Sequence, residues 1–216
     1  MKIKRHDTSG WVPYFKKIRL YSQICFLSEY LRKVIVSTKA EGKILEVGSG
    51  SGFALIVLKD YGFDVVALDI DKDVVRNMKS TQSRFNVFFP IVRADMFNLP
   101  FKSKSFDTVF SQGVMEHFDD EDIVNGLIEQ KRIANTLIMD VPTNIMEKPA
   151  YGDERLLPAS HWKQLLKKAG LNVIRRYGWS VPQKYKWLWL FLPTGFWKLF
   201  GHYFSISVVF ICKTRD

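Results

Sequence analysis

The segment Lys43-Ile44-Leu45-Glu46-Val47-Gly48-Ser49-Gly50-Ser51-Gly52 restricts the folds open to this chain more than any other. Its first five residues predict a short buried strand, because Ile, Leu and Val fill both faces of a parallel sheet. Three glycines follow at alternate positions. That spacing suits a tight turn whose dihedrals a Cβ would oppose and which a second molecule can approach closely. Residues 53–59, Phe-Ala-Leu-Ile-Val-Leu-Lys, then predict a helix whose first N–H groups face back toward the turn. Strand, glycine turn and helix N-terminus in this order form a site of the nucleotide type.

The spacing rules out two familiar versions of that site. A dinucleotide fingerprint G-x-G-x-x-G would need glycine where Phe53 stands, and the G-K-[ST] of a phosphate loop is absent. The segment after the first helix, 64–69, predicts a second strand, and 72–83 a polar helix. Strand, helix and strand of this length imply a right-handed crossover in a parallel sheet. Asp69 then ends the second strand next to the glycine turn, where a carboxylate can accept two sugar hydroxyls. Asp71 and Asp73 read instead as caps of the following helix.

Further strands are expected at 87–92, with Pro90 marking a bend or an edge, at 106–111, at 136–141 and at 171–177. Helices are expected from the acidic run Asp119-Asp120-Glu121-Asp122 to about 134, and over 158–169, stopped by Gly170. Residues 144–157 have no clear period and read as a loop above the site. The last strand is expected at 206–213. The fourth strand runs into Ser111-Gln112-Gly113-Val114-Met115-Glu116-His117-Phe118 at the carboxyl edge of the sheet, where ligands of open α/β sheets bind. His117 is a candidate base, since its ordinary pKa suits proton removal near neutrality. The alternative is a histidine at a helix start bonded to a backbone carbonyl.

Taken in order, Glu46 with Gly48, Gly50 and Gly52, then Asp69, then Arg93-Ala94-Asp95-Met96, then the strand ending at Ser111, resemble the motifs of the class I S-adenosylmethionine (SAM) dependent methyltransferases. Asn98-Leu99-Pro100-Phe101 followed by Ser105-Phe106-Asp107 is similar to the small-molecule and lipid branch of that family. The resemblance covers about 43–177 and the last strand. It implies an α/β, Rossmann-like fold: a seven-stranded, mostly parallel sheet with an antiparallel last strand and helices on both faces. It also implies SAM as cofactor and S-adenosylhomocysteine as product. By the same resemblance Glu46 takes the cofactor's ammonium, Ser49 belongs to the turn that holds it, Asp69 takes the ribose and Ile70 packs on the adenine. Asp95 and the Met96 backbone meet the adenine edge, and backbone around Ser111 and Gly113 holds the methionine part. No metal-ligand spacing is recognisable, so no residue is assigned as a metal ligand.

The net charge of +10 is unevenly spread. Residues 1–43 carry 10 Lys/Arg against 3 Asp/Glu and residues 141–216 carry 12 against 4, whereas 44–140 carry 10 against 15. The positive field therefore sits on the flanks. The chain reads as a single domain over 1–216. Residues 1–42 would form an N-terminal helical lid, whose amphipathic helix spans about 13–37 behind Trp11, Tyr14 and Phe15. A basic aromatic insertion at 179–203 holds Lys184, Lys186 and Lys198 among Trp187, Trp189, Phe191, Phe196, Trp197 and Phe200. The apolar run 187–192 is too short to span a bilayer, but interleaved lysines and aromatics suit a segment at a membrane surface or one walling an apolar acceptor site. The expected acceptor is accordingly a small molecule or lipid, with peripheral membrane contact through 183–203.

An RNA methyltransferase is the first alternative, its basic flanks gripping phosphates. Against it, the chain has no Asn/Asp-Pro-Pro-Tyr for base amino groups and no Pro-Cys for cytosine carbon. A SAM-binding module without catalysis is the second alternative, which the intact glycine turn and acidic pair oppose. Cys25 and Cys212 lie in apolar surroundings without ligand spacing and read as reduced core thiols. With no basic-then-apolar leader at the start, a cytoplasmic location is expected.

Overall fold

The structure is a computed structural model that describes residues 30–38, 42–149, 152–179 and 205–214. Seven strands form one sheet: β1 Lys43–Val47, β2 Asp64–Asp69, β3 Ile91–Arg93, β4 Phe106–Gln112, β5 Ala134–Pro142, β6 Leu171–Trp179 and β7 Ser207–Thr214. Their order across the sheet is β3-β2-β1-β4-β5-β7-β6. Only β7 runs antiparallel, against both β5 and β6. Helices α1 Phe53–Asp60, α2 Lys72–Phe85, α3 Asp120–Ile133 and α4 Ala159–Lys168 complete the described fold, with a short 3-10 helix at Met115–His117. The expected Rossmann-like architecture is therefore present.

Side-chain alternation along each strand assigns the two layers. Leu45, Val47, Val66, Leu68, Val109, Leu137, Met139, Val208 and Phe210 pack on the face covered by α3 and α4. Ile44, Val65, Ala67, Phe110, Ile138, Val209 and Ile211 pack on the opposite face, under α1, Met78 of α2 and the helical residues 30–37. Both faces are buried, which is why the central strands are almost continuously apolar. Tyr30, Leu31 and Val34 are fully or nearly fully buried, and Tyr30 meets Phe110 edge to face at 5.9 Å. That confirms the carboxyl part of the expected N-terminal helix; its beginning, with the lid and the 179–203 insertion, lies outside the described residues except at the first position of the insertion.

Several boundaries differ from the sequence reading for local reasons. The third strand is only Ile91–Arg93, because Pro90 has no N–H to offer β2 and the ladder starts just after it; Pro90 contributes its carbonyl, which accepts from Ala67 N–H at 2.9 Å. β5 begins earlier than expected because Ala134 pairs with Phe106 of β4, and ends later, at Pro142, because its antiparallel pairing with β7 carries the ladder to Ser207. Helix α2 reaches Phe85 and stops where Asn86 adopts the left-handed conformation at φ 52°. Asp71 caps that helix as expected, accepting from Asp73 and Val74 N–H.

The sheet order reverses between β1 and β4, and an open α/β sheet has its ligand crevice at such a point. The glycine turn leaves β1 on one side of it, and Gly113 leaves β4 on the other.

Candidate active site

All three glycines of the turn have positive φ, 70° at Gly48, 52° at Gly50 and 74° at Gly52. At two of them the protein itself also forbids a side chain. A Cβ on Gly48 would lie 2.5 Å from Val114 Cγ2, and one on Gly52 would lie 2.7 Å from Met78 Cγ. These two glycines thus bring the turn close to its own neighbours, whereas the sequence reading credited their smallness to an approaching ligand. Ser49 works for the turn as well: its Oγ donates to Glu46 C=O at 2.8 Å and accepts from Leu68 N–H at 3.0 Å, stitching β1 to β2.

Glu46 follows Leu45 on β1 and so points to the opposite face, at 5% exposure. Its Oε2 is buried with no hydrogen-bond partner. Burial, and secondarily the negative charge of Asp69, pushes its carboxyl well above the ordinary range. Asp69 holds the end of β2. One of its oxygens accepts from Gly50 N–H at 3.1 Å and the other from Asp71 N–H at 3.0 Å. Burial raises its pKa too, although the two amides oppose that shift. Ile70, next in sequence, is 43% exposed at this edge.

Asp95 lies half-buried just past β3, with Oδ1 accepting from Phe97 N–H at 3.0 Å, the turn geometry common for such a residue. The Met96 side chain is turned inward and packs 3.2 Å from where a Cβ of Gly126 would stand, so only its backbone can serve a ligand. Glu46, the glycine turn, Asp69 and Asp95 thus lie along the carboxyl ends of three strands that are adjacent in the sheet.

Across the switch point, Ser111 is buried and its Oγ has no partner, while its carbonyl accepts from Tyr30 Oη at 3.2 Å. Burial and then the charges of Asp140 and Glu46 raise the Tyr30 phenol well above its usual value, so it is a donor here. Gly113, at φ 65°, donates its N–H to Asp140 C=O at 3.2 Å. The Asp140 carboxylate accepts from Gln112 Nε2 at 2.9 Å and from Ser207 Oγ at 2.8 Å.

His117 is 8% exposed, and its Nδ1 lies 2.6 Å from Asp153 Oδ1. The expected alternative, a bond to a backbone carbonyl, is thus replaced by a carboxylate from the loop after β5. Beside it, Glu116 is 2% exposed, with Oε2 buried and unpartnered. Burial raises its carboxyl well above the usual range; its own backbone N–H opposes this, and Glu154, Asp140 and Asp153 add to it. The loop is brought onto the 3-10 helix by Arg155, whose N–H donates to Glu116 C=O at 2.9 Å. The Arg155 guanidinium donates to Phe118 C=O and to Asp120.

Sequence reasoning missed Tyr30, Glu116 and Asp140 as parts of this edge. A charged residue in the middle of the apolar run Leu137-Ile138-Met139-Asp140-Val141 was the signal available for the last of these.

The residues present suit the expected cofactor. A buried carboxylate with an orphaned oxygen calls for a cationic group, and SAM brings an ammonium. An acidic strand end whose two oxygens face backbone amides and solvent suits a diol, and an exposed isoleucine beside it suits a flat ring. Residues 45–135 match the sequence profile of the methyltransferase domain family. Over that stretch the chain is similar to methyltransferase domains, and the activity that this match and the fold support is SAM-dependent methyl transfer. Among solved structures, the methyltransferase is similar to a SAM-dependent methyltransferase of Thermotoga maritima, with TM-score 0.69 and 19% identity over 94% of this chain and 96% of that one. It is also similar to the PH0226 protein of Pyrococcus horikoshii, with TM-score 0.67 and 18% identity over 92% and 93%. The [4+2]-cyclase SpnF matches with TM-score 0.65 and 14% identity over 86% and 80%, so this fold also carries other chemistry. No curated protein matches the methyltransferase by sequence.

Proposed function

We propose that the methyltransferase acts on a small-molecule or lipid-like acceptor, reached from the carboxyl edge beyond β4 and β5 and, for a lipid, at a membrane surface. The observation that carries the choice is the charge of that edge. Glu154, Asp140 and Asp153 lie close enough to Glu116 to raise its carboxyl. A polynucleotide would bring its phosphates against these carboxylates, at a cost that like charges impose at short range. The basic residues that could grip phosphates fall in the flanking segments instead.

In this reading Glu46 holds the ammonium of SAM, Asp69 its ribose hydroxyls and Ile70 the adenine face, while Asp95 and the Met96 backbone meet the adenine edge. Ser111 and Gly113 border the methionine part. Bound there, the cofactor supplies an electrophilic methyl on a positively charged sulfur. The chain's own task is to orient the acceptor and keep water out, and orientation of that kind can supply about 7–11 kcal/mol of a barrier. His117, set by Asp153, is placed to act on the acceptor's proton, directly or through a group that it binds. No helix among the described residues is long and apolar enough to cross a membrane. In this reading membrane contact is peripheral, through the lysines and aromatics of 183–203.

The test is a mass-resolved screen in which the purified full chain and isotopically labelled SAM are incubated with lipid, metabolite and RNA fractions. Label in a lipid or metabolite is the expected result. Label confined to RNA, with binding that falls steeply with salt, overturns the assignment. For the membrane arm, Lys184, Lys186 and Lys198 exchanged for Glu should abolish flotation with anionic liposomes.

A further inference from the structure

We propose that Glu116, His117 and Glu154 form a divalent-cation site at the acceptor end of the crevice, suited to an ion such as Mn2+ or Zn2+. One ligand atom from each of the three lies within 4.8 Å of the others. Ligands about 2.0–2.2 Å from a shared ion stand no more than roughly 4.4 Å apart, so a small shift of the half-buried Glu154 closes the set. Two carboxylates and one imidazole are the donor types that borderline divalent ions take.

Two observations besides the clustering point to a cation. Glu116 is 2% exposed, and its Oε2 is buried with no hydrogen-bond partner. A buried carboxylate oxygen left bare is costly, and a metal ion satisfies it. The Asp153–His117 bond at 2.6 Å also has the form of a support for a metal ligand. A carboxylate on Nδ1–H fixes the tautomer and leaves the lone pair on Nε2, the arrangement that orients and strengthens an imidazole ligand. Arg155, the neighbouring cation in sequence, donates to Phe118 C=O and Asp120.

The ion's place next to the acceptor rests on the functional reading above; its existence does not. With the ion bound, the carboxylate-lined edge becomes able to hold an acceptor oxygen and lower its pKa. His117 then serves as a ligand and no longer as a free base. Nothing in the sequence spacing announces this, since Glu154 comes from the loop after β5, which the Arg155 backbone bond and the Asp153–His117 bond hold against the 3-10 helix.

The experiment is calorimetric titration of MnCl2, and separately ZnCl2, into chelator-treated full-length protein, with S-adenosylhomocysteine titrated into the same samples. The expected result is about one ion per chain, with affinity falling at least tenfold in both Glu116→Gln and Glu154→Gln and about tenfold in Asp153→Asn. S-adenosylhomocysteine affinity should stay unchanged in all three, which also shows that they fold. Uptake of neither ion by protein that binds S-adenosylhomocysteine overturns the site, as does uptake that both glutamine variants leave intact. Ion uptake without any S-adenosylhomocysteine binding would instead leave the site standing and remove the functional reading beneath it.

Discussion

The two sides of the switch point are built by opposite means. On the β1–β3 side, Glu46, the glycine turn, Asp69 and Asp95 are arranged by contacts between neighbours in sequence or in adjacent strands, such as Gly50 N–H to Asp69 at 3.1 Å. On the β4–β5 side, Asp153 and Glu154 join Glu116, His117 and Asp140 because a loop after β5 folds back on the 3-10 helix, through Arg155 N–H to Glu116 C=O and Asp153 to His117. The first side is a turn with a few acidic groups facing it, and any cofactor of the right chemistry can use it. The second gathers several carboxylates around the buried Glu116, whose carboxyl they push upward, and a cation there would offset that repulsion. On the assignment proposed above, the cofactor end is specified locally, while the acceptor end depends on long-range assembly of the kind that differs between proteins of one fold.

The largest expected effect comes from the point at which the sides touch. Gly48→Ala puts a Cβ 2.5 Å from Val114 Cγ2 at a φ of 70°. Left-handed strain and overpacking each cost about 1–3 kcal/mol, so thermal melting should drop clearly and S-adenosylhomocysteine affinity should fall more than tenfold. Adding Val114→Ala should recover the packing part and leave the strain. Full recovery in the double variant would show that φ is not what demands glycine here. Next in size is Asp69→Asn. The amide cannot accept well from both Gly50 and Asp71 N–H, and charge-assisted bonds of this type contribute roughly 1.5–3 kcal/mol each. Calorimetry should show S-adenosylhomocysteine binding weakened by at least tenfold, whereas an unchanged affinity would remove Asp69 from the cofactor side.

This asymmetry also explains what could be read in advance. Strand period and glycine spacing are local signals, and they predicted the sheet and its crevice, along whose strand ends Glu46, Asp69 and Asp95 lie. Ser49 shows the limit of motif reading: it belongs to the glycine run, yet its hydroxyl is spent on the β1–β2 seam. Tyr30 reaches Ser111 C=O from a helix before β1, and Asp153 reaches His117 from beyond β5. No window of sequence holds both members of such a pair, so neither contact was legible. The short β3 was misjudged for a simpler reason: an apolar run around Pro90 has the composition of a strand but lacks the N–H that a ladder needs.

A smaller effect should separate charge from shape on the cofactor side. Glu46 has a folded pKa raised by burial and by Asp69, so the folded chain holds this proton more tightly than the unfolded chain does. Stability from this group therefore falls as pH rises above the ordinary glutamate value, and the loss is complete above the raised folded value. Glu46→Gln removes the charge at similar volume. It should stabilise the cofactor-free protein near neutral pH by about 1–2 kcal/mol, give no gain at a pH below the unfolded value, and weaken S-adenosylhomocysteine binding. A variant no more stable than the parent at neutral pH would mean that the folded pKa of Glu46 is not raised, its charge being compensated without ligand.

The smallest expected effect tests whether the acceptor loop is held by charge at all. Arg155 Nη2 meets Asp120 Oδ1 at 2.7 Å and His161 Nε2 meets Oδ2 at 2.8 Å, with Asp120 about a third exposed. Burial alone would raise the Asp120 carboxyl, but the bonds from Arg155 and His161 outweigh it and hold the pKa below the ordinary value. A depressed folded pKa means that the stabilisation is present above the unfolded value and is lost as pH falls through the folded one. Because these groups are open to solvent and salt, the cluster contributes only about 0.2–1 kcal/mol. Asp120→Asn should therefore shift melting by a few degrees at neutral pH and by nothing at a pH below the folded value of Asp120. Its larger consequence should be for position: with Arg155 released, Asp153 and Glu154 lose the anchor that sets them beside His117. Mn2+ affinity should then fall while S-adenosylhomocysteine affinity holds. If both affinities fall together, the two sides are coupled through Phe118 and the 3-10 helix, and the division between a locally built cofactor end and a remotely assembled acceptor end fails.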